Sequence, residues 1–141
     1  MKYAPEVWGP HYWFFLFTVA YFYPGTANEF TKRKYYDLIT NMPLFIPDAE
    51  MGNRFAHMLD LYPISPYLVG RESFLRWVWF IHNKVNIGLG KPQISFEEAI
   101  DHYLAKYKPR EVVLSETFHI RKSYLHAGII LAVLVLIWIL W

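Results

Sequence analysis

The sequence predicts an all-α protein, a small bundle of five helices followed by one C-terminal transmembrane helix. Three observations predict it. Apolar residues recur at helical spacing in separate segments, and strand-like alternation is weak. Proline and glycine clusters punctuate the chain between those segments. The last stretch, YLHAGIILAVLVLIWILW, carries no Asp, Glu, Lys or Arg. The expected organisation is a bundle over 1–107, a linker over 108–123 and an anchor over 124–141.

Helix one is expected to start near Gly9-Pro10, because proline lacks the N–H that a first turn leaves unpaired. It ends before the breaker pair Pro24-Gly25. Its run from Tyr12 to Tyr23 is apolar apart from Thr18 and too short to cross a bilayer. A helix apolar on every side is expected to bury one face in its own domain and the other against a partner.

Helix two is expected over Asn28 to Asn41, with Thr26 or Asn28 as cap and an apolar stripe of Phe30, Tyr35, Leu38, Ile39 and Met42. Pro43 stops it, and Leu44 to Pro47 reads as an extended connector. Helix three covers Asp48 to Leu61, with Asp48 and Glu50 favourable at its N-terminus. A proline-rich loop leads to helix four, about Glu72 to Ile87, which ends at Gly88 and Gly90. Helix five starts at Ser95-Phe96-Glu97-Glu98, a capping-box pattern, and closes at Lys108-Pro109.

The final segment is expected to be a tail anchor. Eighteen helical residues span about 27 Å, close to the roughly 30 Å of bilayer hydrocarbon. Lys106, Lys108, Arg110, Arg121 and Lys122 precede it, which places residues 1–123 on the cytoplasmic side.

Composition narrows the function. The chain is 55% hydrophobic and 20% aromatic, too apolar for disorder and suited to contact with a membrane or partner. The net charge of +2 and short basic runs such as Lys32-Arg33-Lys34 give no footprint for nucleic acid. There are no cysteines, which excludes disulfides, thiolate metal sites and a cysteine nucleophile. The six histidines are scattered, so no metal site is expected.

One cluster of polar residues interrupts helix four. His82 and Asn86 are four residues apart and share a face, and Asn83 is rotated away by about 100°. Such a cluster serves either as a set of core hydrogen bonds or as a ligand site.

The pattern HNxVN followed by LGKP, from His82 to Pro92, resembles the signature of the Erv/ALR family of FAD-dependent sulfhydryl oxidases. Trp8-Gly9-Pro10-His11-Tyr12-Trp13, Ala20 and Tyr23-Pro24 are similar to that family's opening helix, and order and spacing agree from residue 8 to 107. The resemblance implies a helical bundle with FAD at its mouth, a homodimer formed through helix one, and FAD contacts at His82, Asn83, Asn86 and Lys91.

Two departures alter that expectation. Family members carry a C-x-x-C pair at the start of helix three, where this chain has Pro47 and Glu50. Neither side chain cycles through a disulfide. Members also place a histidine after leucine in helix one, where Phe17 follows Leu16. A phenyl ring donates no such hydrogen bond and is expected to fill part of the pocket.

The expectation is therefore a pseudoenzyme with no catalytic residues, a vestigial FAD site and no cofactor. Its role would be a membrane-anchored structural or interaction protein. The family recurs in large DNA viruses with an internal membrane, so a minor virion protein joining that membrane to the capsid fits. The alternative is an FAD-binding flavoprotein with redox chemistry that does not use a C-x-x-C dithiol.

Overall fold

The computed structural model describes residues 3–108, 124–126 and 128–131. The chain divides into two units, 1–106 and 107–141. The first contains five α-helices: α1 Pro5–Tyr21, α2 Glu29–Asn41, α3 Ala49–Leu61, α4 Arg71–Gly88 and α5 Phe96–Ala105. Among the described residues there are no strands.

In α1 the first turn is set by Pro5, so the helix begins four residues before Gly9 and carries Pro10 inside it. The expected start was late because Pro5 serves the N-terminal role assigned to Pro10. One face of α1 buries Leu16, Phe17 and Ala20, and packs chiefly on α4. Beyond its end, Tyr23 is fully buried and its hydroxyl donates to the Leu68 carbonyl at 2.8 Å. The Arg71 side chain donates to the Tyr23 carbonyl at 2.9 Å, tying the same corner to the start of α4.

Asn28 caps α2, accepting from the Thr31 N–H at 2.8 Å. The expected apolar stripe is only partly inward: Ile39 is buried, whereas Phe30 and Leu38 are exposed. After Asn41 the chain does not extend. Met42–Phe45 forms a 3-10 turn, with Ile46 donating to the Pro43 carbonyl at 3.3 Å. The fixed φ of Pro43 suits a first helical turn as well as it ends the preceding helix, and burial of Met42 holds the turn in place.

Asp48 caps α3 through the Met51 N–H at 2.9 Å. Gly52 lets this helix approach the 3-10 turn, since a Cβ there would lie 2.8 Å from the Pro43 carbonyl oxygen. Along α4, Phe74, Leu75, Trp77, Val78 and Ile81 are buried, and the Trp77 indole donates to the Tyr62 carbonyl at 3.0 Å. The capping box predicted at Ser95 and Glu98 is present in both directions.

In the second unit, residues 124–126 and 128–131 are helical. No helix among the described residues is long and apolar enough to cross a membrane. The linker predicted over 108–123 lies outside the described residues after 108, as do residues 127 and 132–141 of the predicted anchor.

Candidate functional site

A cavity of about 630 Å³ opens among α1, the 3-10 turn, α3, α4 and α5. That volume lies within the range of small-molecule sites. Trp13, Leu16 and Phe17 form its α1 wall, and Met51, Phe55 and Met58 its α3 wall. His82, Val85 and Asn86 come from α4, and Leu89, Lys91 and Ile94 from the segment that follows it. His102, Tyr103 and Lys106 close the α5 side.

His82 is the pivotal polar group. Its ring centroid lies 4.6 Å from that of Trp13 and 6.1 Å from that of Phe17, which meets it edge-on. Nδ1 is buried and has no hydrogen-bond partner among the described residues. Burial, then the positive charge of Lys91 and then His102, push the imidazole down from 6.5 to about 4. The ring is therefore neutral at pH 7, and its buried Nδ1 bears the cost of an unmade hydrogen bond.

The residues singled out from sequence separate in the fold. His82, Asn86 and Lys91 line the cavity. Asn83 does not. It is buried, and its side chain binds both backbone groups of Ile94, donating to the carbonyl at 2.8 Å and accepting from the N–H at 3.0 Å. The Asn86 amide leans toward the Pro92 carbonyl at 3.4 Å. Phe17 stacks on Tyr103 at 6.2 Å and belongs to the wall, so its bulk leaves the cavity open.

Pro47 and Glu50 lie outside the cavity lining. Both are exposed, and Glu50 pairs with Arg54 one turn along α3. Arg54 itself lines the cavity. Sequence reasoning missed Trp13, Arg54, His102 and Lys106, and the three methionines Met42, Met51 and Met58 that share the wall. The spacing of Met51, Phe55 and Met58 was the available signal, since these positions fall on one helix face. Among the described residues no cluster of His, Asp or Glu is arranged to hold a metal ion.

This is a small helical bundle with a cavity walled by its first, third, fourth and fifth helices. Residues 10–108 match the Erv1/Alr family, and the chain belongs to it. A probable FAD-linked sulfhydryl oxidase of Acanthamoeba polyphaga mimivirus is 33% identical over 99 residues, covering 70% of this chain and 69% of the relative. The FAD-linked sulfhydryl oxidase ERV1 of Arabidopsis thaliana is 32% identical over 79 residues, covering 56% of this chain and 40% of the relative. A putative FAD-linked sulfhydryl oxidase of invertebrate iridescent virus 3 is 23% identical over 103 residues, covering 73% of this chain and 70% of the relative. The yeast Erv1 core superposes with a TM-score of 0.66 at 23% identity, covering 73% of this chain and 86% of that one, a likeness of fold.

FAD, named for these relatives, meets a mixed site here. The volume, the aromatic wall and the cations Lys91 and Lys106 fit a flavin dinucleotide, and His82 Nδ1 offers it one unsatisfied polar atom. Neutral hydrogen-bonding groups are few. Asn83 is committed to Ile94, the Tyr12 hydroxyl donates to the Phe45 carbonyl at 2.5 Å, and the Trp8 indole donates to the Tyr3 carbonyl at 3.2 Å.

Proposed function

We propose that this chain is a dithiol-free member of the sulfhydryl-oxidase family that works as a membrane-attached structural and interaction protein and not as an oxidase. The observation that carries this reading is the absence of cysteine from the sequence. Pro47 and Glu50, which the resemblance sets at the dithiol positions, are exposed and outside the cavity wall. Thiol–disulfide relay requires a thiolate that attacks a disulfide and a second sulfur that closes the cycle. Glutamate carries charge or a proton, and proline neither.

Attachment rests on the charge-free sequence 124–141 with basic residues before it, which favours residues 1–123 facing the cytoplasm. Interaction rests on α1. Val7 and Phe15 are exposed along the helix and Phe22 just past its end, away from the buried Leu16, Phe17 and Ala20. Such a surface suits a protein partner, a second copy of the chain included. The likeness to proteins of two large DNA viruses supports a place in a virion, between an internal membrane and the capsid.

The test is peroxide production by the purified full chain with dithiothreitol, added FAD and reduced protein as electron donors. Background rates are expected. Steady turnover overturns the reading.

A second reading is favoured by the unsatisfied His82 Nδ1 beside an open cavity. It is a flavoprotein in which His82, Asn86 and Lys91 hold FAD. When bound, FAD supplies a two-electron acceptor, and this chain's residues would position it without a dithiol. A yellow protein with stoichiometric flavin after purification supports it; a colourless protein that takes up no added FAD rejects it.

A further inference from the structure

We infer that the cavity binds a single-chain anionic amphiphile, an acyl tail carrying a carboxylate or phosphate head. The inference stands on how polarity is distributed in the wall. Apart from the His82 imidazole, the inner lining is hydrocarbon, aromatic or thioether, with Leu16, Phe17 and Phe55 buried and the flexible Met51 and Met58 beside them. Methionine adapts to an apolar ligand without a fixed shape, because its unbranched side chain repacks easily. A dinucleotide needs many neutral hydrogen-bond partners, and this wall offers few: the Tyr12 hydroxyl donates to the Phe45 carbonyl and the Asn86 amide leans toward the Pro92 carbonyl.

The charged lining points to the head group. Lys91 and Lys106 are exposed at the cavity and form no ion pair among the described residues. Lys84, also in the lining, turns its ammonium over the faces of Tyr62 and Phe80, which lie outside the lining, so the head-group charge rests on Lys91 and Lys106. Among the described residues Glu6 is the sole acidic one in the lining. An apolar interior with an excess of exposed cations complements an apolar tail with an anionic head. A chain whose sequence carries a membrane-anchor pattern at 124–141 has such molecules close by.

The experiment uses the full chain in nanodiscs of zwitterionic lipid and a palmitate bearing a diazirine in its acyl chain. After irradiation, adducts are mapped by peptide mass spectrometry. Adducts are expected on the cavity residues Phe55, Met58 and Val85. Excess unlabelled palmitate or lysophosphatidate is expected to remove them, and the stronger competitor identifies the head group. The Lys91→Glu/Lys106→Glu variant is expected to lower cavity labelling about fivefold, the scale of exposed ion pairs. Adducts confined to 124–141, or cavity labelling displaced equally well by palmitate methyl ester, overturn the inference. Displacement by FAD with yellow, stoichiometric flavin overturns it in favour of the flavoprotein. None of these outcomes touches the absence of oxidase turnover, which peroxide production tests separately.

Discussion

The Asn83 carboxamide closes a two-bond clamp on the Ile94 backbone, with contacts of 2.8 and 3.0 Å across eleven residues of sequence. The clamp folds the segment Leu89-Gly90-Lys91-Pro92 back along α4. Gly90 takes the positive φ of 69° that this return requires. The Trp79 indole reinforces the clamp by donating to the same Ile94 carbonyl at 2.8 Å. In this way a buried amide, outside the cavity, brings Lys91 and Leu89 to the cavity.

Asn83→Ala removes both bonds and leaves the part-buried Ile94 N–H without its partner. The expected cost is about 2–3 kcal/mol, from two hydrogen bonds and one unsatisfied group. Thermal or urea unfolding checks it. A change within about 0.5 kcal/mol, the scatter of ordinary surface substitutions, would show that the clamp is dispensable.

Acid sensitivity follows from His82. Its imidazole titrates near 6.5 in the unfolded chain and is pushed down to about 4 in the fold, mainly by burial. The contribution is complete above 6.5 and is lost as the pH falls from there toward 4, because the unfolded state takes up the proton first. Between pH 7 and pH 5 the loss is about 2 kcal/mol. His82→Gln is expected to remove this component, so the difference in urea midpoint between the two pH values should shrink relative to the parent. An unchanged pH difference would place the sensitivity elsewhere.

Gly52→Ala tests the approach of α3 to the 3-10 turn. The added Cβ falls 2.8 Å from a backbone oxygen, which moves only if the turn moves. Overpacking of this kind costs about 1–3 kcal/mol. A lowered Tm is expected; an unchanged or raised Tm would mean the turn yields freely.

Pro47→Cys with Glu50→Cys restores two sulfurs at the family spacing. Turnover is expected to stay at background with dithiothreitol, because positions 47 and 50 lie outside the cavity wall. Oxygen consumption that rises with the double variant would contradict this.

Deletion of residues 124–141 is expected to release the remainder from membranes. Fractionation of the truncated and full chains measures it. Persistent sedimentation of the truncated chain with membranes would assign attachment to the α1 surface.

The local elements were legible in the sequence wherever a short-range rule decides them. The Ser95 and Glu98 capping box, the Asn28 cap and the stop before Pro24-Gly25 depend on neighbours within a few residues. The family pattern from His82 to Pro92 was equally legible, because order and spacing are properties of the chain itself. The lack of a dithiol was also plain, because the sequence contains no cysteine.

Long-range packing decided the rest. Whether Asn83 meets a ligand or a backbone depends on where Ile94 returns, eleven residues away. Burial of His82 depends on Trp13 and Phe17 arriving from another helix, and that burial, ahead of the charges of Lys91 and His102, makes its imidazole a poor base. Exposure of Phe30 and Leu38 reflects which side of α2 finds neighbours, which apolar spacing alone leaves undetermined. Desolvation is a property of all the atoms around a group, so a one-dimensional pattern names the candidates and the packed bundle assigns their environments.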